Sequence, residues 1–424
     1  MIYPPAAGGS GAPTYTRHLL EGMAKYESRP GVLFSTSERY VGDVDSRYES
    51  FPVVFAQAPI FDSQPKITRS IPFRRMTSMQ VDHYLKKMRG GLGRAIANHH
   101  YDLIHVQHGM YLGYLAALVR EELGIPYVVT LHVMELNFLE EFPDPILAMA
   151  GMAYADRIIA LTAAQKTRLL ETYTRENTVE LECLRSGDDH GTVQRRYEEA
   201  VGGRSIDPER LVICPLGIDT DLFNVASIGV VPGDLAALSV AETDRVVLFA
   251  GRLLEMKGVE HLIRAEPVYN SARGVHTIIL GGGELEDFVA RKSRQIPMLH
   301  YLGYKENSLM PTYYNFAAEN GGLFCVPSAS EGMSLSYLEA MACGLGVVAC
   351  CRRDMGDLDF MQPPYVSFAT FGDVENLASK ISRMLDDNRH WSAPEIRERV
   401  RRLDVHAMVE AVREVYESVL HERR

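Results

Sequence analysis

Cysteine is scarce in this chain and long apolar runs are missing, and those two shortages already narrow what it can be. Six cysteines in 424 residues, two of them adjacent at Cys350 and Cys351, are too few for a disulfide-built scaffold. They read as reduced thiols of a cytoplasmic protein. No run of about 18 uncharged apolar residues occurs, so no transmembrane helix is expected. The start, Met1-Ile2-Tyr3-Pro4-Pro5, has neither the basic residues nor the apolar stretch of a secretory signal. Positive charge is in deficit, with 44 Lys plus Arg against 55 Asp plus Glu and a net charge of −11, which disfavours a general nucleic-acid binder. No Cys/His cluster has zinc spacing, and no Walker loop is present.

What is present is ordinary for a folded chain: 46% hydrophobic and 23% charged residues. At roughly 150 residues per domain the length predicts two or three globular units. One local exception to the acidic balance runs from Gln64 to Arg94. There Lys66, Arg69, Arg74, Arg75, Lys86, Lys87, Arg89 and Arg94 face a single acid, Asp82. Such a stretch is either a solvated helix and loop or a field aimed at an anionic acceptor or a membrane surface.

Short apolar, β-branched runs alternate with stretches of helical periodicity, the pattern of parallel βαβ units. In the first half, strands are expected at Leu103–His108, Tyr127–His132, Arg157–Thr162 and Leu211–Pro215. In the second they are expected at Arg245–Gly251, Thr277–Gly282, Leu299–Tyr304, Gly322–Val326, Gly346–Cys350 and Tyr365–Phe368. Most are apolar throughout, as when helices cover both sheet faces. Arg185–Glu209 reads as a long loop with one helix around Gln194–Val201, and Val405–Leu420 as an amphipathic helix. The expected division is residues 1–222 completed by a C-terminal helix at 405–424, a linker at 223–244, and a second domain at 245–404. Ligands of such sheets bind beyond the carboxyl ends of the strands.

Three strand-to-helix loops there are glycine-rich: Gly8-Gly9-Ser10-Gly11, Gly281-Gly282-Gly283-Glu284 and Glu331-Gly332-Met333-Ser334. Either tight turns or anion cradles would use them. Neither glycine cluster completes a dinucleotide fingerprint, since the sixth positions are Thr14 and Glu286. Arg252 and Lys257 follow a strand and could neutralise charge on a departing diphosphate, or could be an ion-paired surface turn. Of three Asp-x-Asp triplets, that at Asp219/Asp221 sits in the seam between the expected domains and those at Asp43/Asp45 and Asp357/Asp359 lie in polar loops without companion carboxylates, so a metal-free site is expected.

The stretch Pro327-Ser328-Ala329-Ser330-Glu331-Gly332-Met333-Ser334-Leu335-Ser336-Tyr337-Leu338-Glu339-Ala340-Met341-Ala342-Cys343-Gly344 resembles the E-x7-E signature of the retaining glycosyltransferases of family 4. A capping box of Ser336 with Glu339 would account for the second Glu but not the first. Further matches follow in family order: the glycine pair Gly8-Gly9, the strand ending in His132, Ala155-Asp156-Arg157-Ile158 to Thr162, Cys214-Pro215-Leu216-Gly217-Ile218-Asp219 to Phe223, and Gly251-Arg252 with Lys257-Gly258. Two departures stand out: Leu216 replaces the usual Asn, and Gly11 to Pro13 lengthens the first glycine loop. Only Met1 to Pro5 stand where a first strand would cross the sheet.

The resemblance implies a GT-B fold, two Rossmann-like doubly wound α/β domains facing across a cleft, with a nucleotide diphosphate sugar as donor. It implies that Arg252 and Lys257 bind the diphosphate, that Glu339 holds the ribose hydroxyls, and that Glu331 contacts the donor sugar. Backbone of Gly9, Gly11, Gly282, Gly332, Met333, Ser334 and Leu335 would complete the cradle, with Tyr304 in a segment flanking the base. His132 would touch sugar and acceptor, and His108 is a second candidate. The family is thought to retain configuration by front-face attack, a β-phosphate oxygen taking the acceptor proton, with no metal or other cofactor. The acceptor is expected to be a small soluble cyclitol, sugar or thiol metabolite, with natural-product biosynthesis one setting. The alternatives are a membrane-docked enzyme acting on a lipid or polysaccharide, and a sugar-nucleotide-binding regulator without turnover.

Overall fold

A computed structural model describes residues 2–5, 11–26, 30–36, 49–60, 70–132, 136, 144–225, 231–270, 274–331, 333–350, 358–387 and 391–423. The chain divides into two compact units, Met1–Pro215 with Met408–Arg424, and Leu216–Ala407. Residues 223–244 thus fall inside the second unit.

The strands of the first unit are β1 (Ile2–Pro5), β2 (Gly31–Thr36), β3 (Glu49–Val54), β4 (Ala58–Ile60), β5 (Ser70–Pro72), β6 (Ile104–Gln107), β7 (Tyr127–Thr130), β8 (Arg157–Ala160) and β9 (Leu211–Ile213). All but β4 and β5, which pair with each other, form a seven-stranded sheet in the order β3-β2-β1-β6-β7-β8-β9. Every pairing in it is parallel. The second unit holds β10 (Arg245–Ala250), β11 (Val275–Leu280), β12 (Leu299–Gly303), β13 (Leu323–Val326), β14 (Gly346–Ala349) and β15 (Val366–Phe368). Its parallel order is β12-β11-β10-β13-β14-β15. Each sheet therefore reverses its winding once, between β1 and β6 and between β10 and β13, and a crevice opens at the carboxyl ends of that pair.

Burial explains why the central strands form. β6, β7, β11, β13 and β14 are buried at every position; in β7, β13 and β14 nearly all the side chains are apolar, whereas β6 buries His105 and Gln107 and β11 buries His276 and Thr277. The helix Val405–His421 is amphipathic as its spacing predicts, burying Met408, Val409, Val412, Val415 and Val419.

Three expectations need correction. β2 and β3 were not foreseen, and β1 does cross into the sheet with four residues, pairing with β2 and β6. The segment Arg185–Glu209, expected as a loop with one helix around Gln194–Val201, does hold that helix, as His190–Val201, but its first residues close a second helix that was not expected, Arg175–Ser186. Both carry side-chain N-caps, Thr174 accepting from Asn177 N–H and Asp189 from Thr192 N–H, and both end on a left-handed glycine, Gly187 and Gly202.

Candidate functional site

In the second unit the two loops at the winding reversal are built against each other. After β10 the chain passes Gly251 and the partly exposed Arg252, makes a 3-10 turn at Glu255–Lys257, and enters the helix Val259–Tyr269. After β13 it runs through Pro327 to Ser334 and enters the helix Leu335–Ala342. The Ala329 N–H donates to the Met256 carbonyl at 2.8 Å, tying the loops together. Gly258 sits between them at φ +69°, and a Cβ there would lie 1.9 Å from the Pro327 carbonyl oxygen. Only glycine permits that approach.

This junction brings together Lys257 and Glu331, two of the residues expected at the site. Lys257 Nζ donates to Glu331 Oε1 at 2.5 Å, and the Ser328 hydroxyl donates to the same oxygen at 2.8 Å. Ser328 and Glu331 are 1% and 8% exposed, so the carboxylate is fixed by two donors in a desolvated setting.

Glu339 lies two turns further on, buried in its helix. The Tyr314 hydroxyl donates to its Oε2 at 3.3 Å, and burial pushes the carboxyl up to about 7. The capping-box alternative fails. The N-cap is Ser334 with no side-chain cap bond, its hydroxyl pairs with that of Ser336 at 3.0 Å, and Glu339 points to the interior. Met333 and Leu335 bury their side chains, Met333 Sδ accepting from Leu216 N–H at 3.2 Å, so a ligand would meet their backbone.

Around the neighbouring strand ends the glycine loop serves packing first. Gly281 N–H donates to Gly303 and Leu253 N–H to the Gly282 carbonyl, each at 2.9 Å. A Cβ on Gly281 would fall 1.8 Å from the Gly251 oxygen, whereas one on Gly282 would meet nothing closer than Glu286 Oε2 at 3.4 Å. Tyr304 is 41% exposed on the loop after β12. The next residue, Lys305, donates to Asp234 Oδ2 at 2.7 Å, and Tyr313 donates to the same oxygen at 2.8 Å.

In the first unit His132 follows β7 and is 8% exposed, its Nε2 bonded to Gln107 Oε1 at 3.0 Å. Its ring lies 4.5 Å from that of His108 and edge-on to Tyr15 at 5.7 Å. Burial pushes His108 down to about 3, so it is neutral over the physiological range. Gly11 opens the helix Gly11–Met23, while Gly9 and Gly332 lie outside the described residues.

Sequence reasoning missed Ser328 and Gln107 as functional partners. Ser328 lies within the quoted signature, and Gln107 is the lone amide in a strand buried at every position.

For metals, Asp219 Oδ1 accepts from the N–H groups of Asp221 and Leu222, so that triplet caps its own turn. Among the described residues no group of three His, Cys, Asp or Glu is placed to hold an ion. Of the basic stretch, Lys87 donates to the Val54 carbonyl at 2.6 Å and lies over the Phe55 ring, and Arg89 pairs with Glu122. Lys86 and Arg94 are exposed on the helix Ser78–Asn98, and Lys66 and Arg69 lie outside the described residues. No described helix is long and apolar enough to cross a membrane.

Two family models match the chain: Glycosyltransferase Family 4 over residues 9–181, and Glycosyl transferases group 1 over residues 244–387. Curated relatives include a D-inositol 3-phosphate glycosyltransferase of Segniliparus rotundus, 26% identical over 66% of this chain and 58% of that protein. One of the same name from Geodermatophilus obscurus is 26% identical over 69% of this chain and 62% of that protein. The matches thus span about three fifths of those relatives' length. Among solved structures, sucrose-phosphate synthase from Thermosynechococcus elongatus aligns with a TM-score of 0.72 at 19% identity, covering 99% of this chain and 98% of that one. Anabaena HepE in complex with UDP aligns with a TM-score of 0.65 at 18% identity, covering 98% of each chain. Two family models in tandem, two reversed parallel sheets and the paired loops at β10 and β13 agree: the chain belongs to the family 4 glycosyltransferases and has the GT-B fold.

Proposed function

We propose that the protein is a retaining, metal-independent glycosyltransferase that moves a glycosyl unit from a nucleotide diphosphate sugar to a small soluble acceptor. The observation that carries this reading is the Lys257–Glu331 pair at the winding reversal of the second sheet, a cation and a carboxylate held in one place by Ser328. A diphosphate leaving group develops negative charge as the glycosidic bond breaks. Lys257 and Arg252 neutralise it, acting most strongly in the transition state. Glu331 accepts hydrogen bonds from donor-sugar hydroxyls, and Glu339 from the ribose. The acceptor oxygen attacks the face the diphosphate is leaving, its proton passing to a phosphate oxygen, so configuration is kept and His132 serves as a hydrogen-bonding partner of the hydroxyls.

The UDP bound in HepE makes UDP-sugars the first donors to try, and the relatives' name makes inositol phosphate the first acceptor. The internal use of Lys87 and Arg89 weakens the case for a lipid surface. The test is a thermal-shift screen of nucleotide sugars followed by product analysis with NMR of the anomeric centre. A stabilising donor turned over with retained configuration supports the reading; inverted product, or no stabilising donor, removes it.

A further inference from the structure

Behind His132 the first unit contains a polar chain whose other members have no part in the proposed reaction. Its centre is Gln107, the last residue of β6, whose side chain is fully buried. The Gln107 amide oxygen lies 3.0 Å from His132 Nε2, and an amide oxygen can only accept, so that ring nitrogen carries a proton. The other end of the amide, Nε2, can only donate, and it lies 3.3 Å from His105 Nε2. Thr130 Oγ1 lies 2.7 Å from the same nitrogen. His105 therefore accepts at Nε2 and donates from Nδ1 to the Tyr416 hydroxyl, 2.5 Å away. Burial holds the His105 pKa well below its ordinary value, so the ring is neutral, with one donor and one acceptor nitrogen.

We propose that Gln107 is a positioning residue that locks His132 in its Nε2–H tautomer, leaving Nδ1 as the lone-pair nitrogen. Any hydroxyl of the sugar or its acceptor that meets His132 Nδ1 is then the donor of that hydrogen bond, and a neutral His132 gives no proton from Nδ1. Turning the Gln107 amide over would reverse the tautomers of both histidines together, so His105, Gln107 and His132 form one linked set. The functional part of this inference rests on the proposed contact of His132 with the reacting sugar; the tautomer does not.

The test is nitrogen-15 NMR of the full-length protein labelled at histidine, with His132 assigned from the His132→Asn variant. A protonated Nε2 and an unprotonated Nδ1 on His132 are expected, with the opposite assignment on His105. An unprotonated His132 Nε2 overturns the proposal, whatever the variants do. In kinetics, Gln107→Met is expected to mix the His132 tautomers and lower kcat about tenfold with donor KM changed less than about twofold. Gln107→Glu, which keeps an acceptor towards His132, should recover most of that loss. A Gln107→Met protein with unchanged tautomer and unchanged kcat also overturns the proposal. Full activity in His132→Asn would instead sink the functional role of His132 and leave the tautomer standing.

Discussion

Lys257 Nζ and Glu331 Oε1 are 2.5 Å apart although 74 residues separate them in the chain, because the loops after β10 and β13 share a backbone hydrogen bond and a glycine contact. The backbone of the two loops thus sets the placement of both side chains, which suits the preorganised role proposed for Lys257 at a leaving diphosphate.

Replacing Lys257 with Ala should lower turnover on the order of 100-fold, the usual effect of removing one donor aimed at developing charge. Ser328 still holds Glu331, so folding should be little affected. Steady-state kinetics beside a thermal melt check this; unchanged turnover means the diphosphate lies elsewhere. Ser328→Ala should fall between this variant and the parent.

Glu339 carries a pH signature. Its carboxyl is raised by burial from 4.5 to about 7, so between those values the folded state binds more protons than the unfolded one. Stability from this group is therefore greatest below about pH 4.5, falls as pH rises, and is lost above about pH 7, with a span of about 3 kcal/mol. Glu339→Gln should flatten that part of the stability curve and raise the melting temperature at pH 8. The same change should weaken donor binding, since the ionised carboxylate is the better acceptor for ribose hydroxyls. Denaturant melts at several pH values, with donor titrations, measure both effects.

Two glycines should respond in opposite ways. Gly258→Ala places a Cβ against the Pro327 carbonyl and strains a left-handed backbone, and should cost about 2–4 kcal/mol along with most activity. Gly282→Ala meets only the end of Glu286 and should fold normally. If the Gly282 backbone approaches a phosphate, the variant binds donor more weakly at an unchanged melting temperature; unchanged binding removes Gly282 from the cradle.

Activity should survive EDTA. Loss of turnover in chelator, restored by Mg²⁺, would refute the metal-free mechanism.

The sequence was most readable where burial is complete. The strands of the second unit lie within a residue or two of their expected bounds, because sheet cores covered on both faces leave continuous apolar runs. β3 escaped notice since it is an edge strand with a single buried position and a proline at 52, which an edge tolerates. The helix Arg175–Ser186 hid for another reason. Its buried face is Thr178, Val179 and Glu182, and Glu182 is accommodated by Arg185 and Arg196, so no apolar periodicity marks it. At the site, Arg252 and Lys257 were legible as types suited to phosphate and Glu331 and Glu339 through the E-x7-E resemblance, whereas Ser328 and Gln107 bond to other side chains. Their meaning depends on which strand ends the fold makes adjacent.

The first unit is completed by Met408–Arg424, where Gly22 packs against Val409, Tyr26 donates to Glu410, and Tyr416 meets His105. During synthesis, then, the first half of the polypeptide leaves the ribosome without its closing helix and waits while the whole second unit is made. A fragment cut at Pro215 would keep its sheet but lack the phenol that holds His105. Separate expression of the first unit calls for grafting the last helix back, joined through a linker to residue 215.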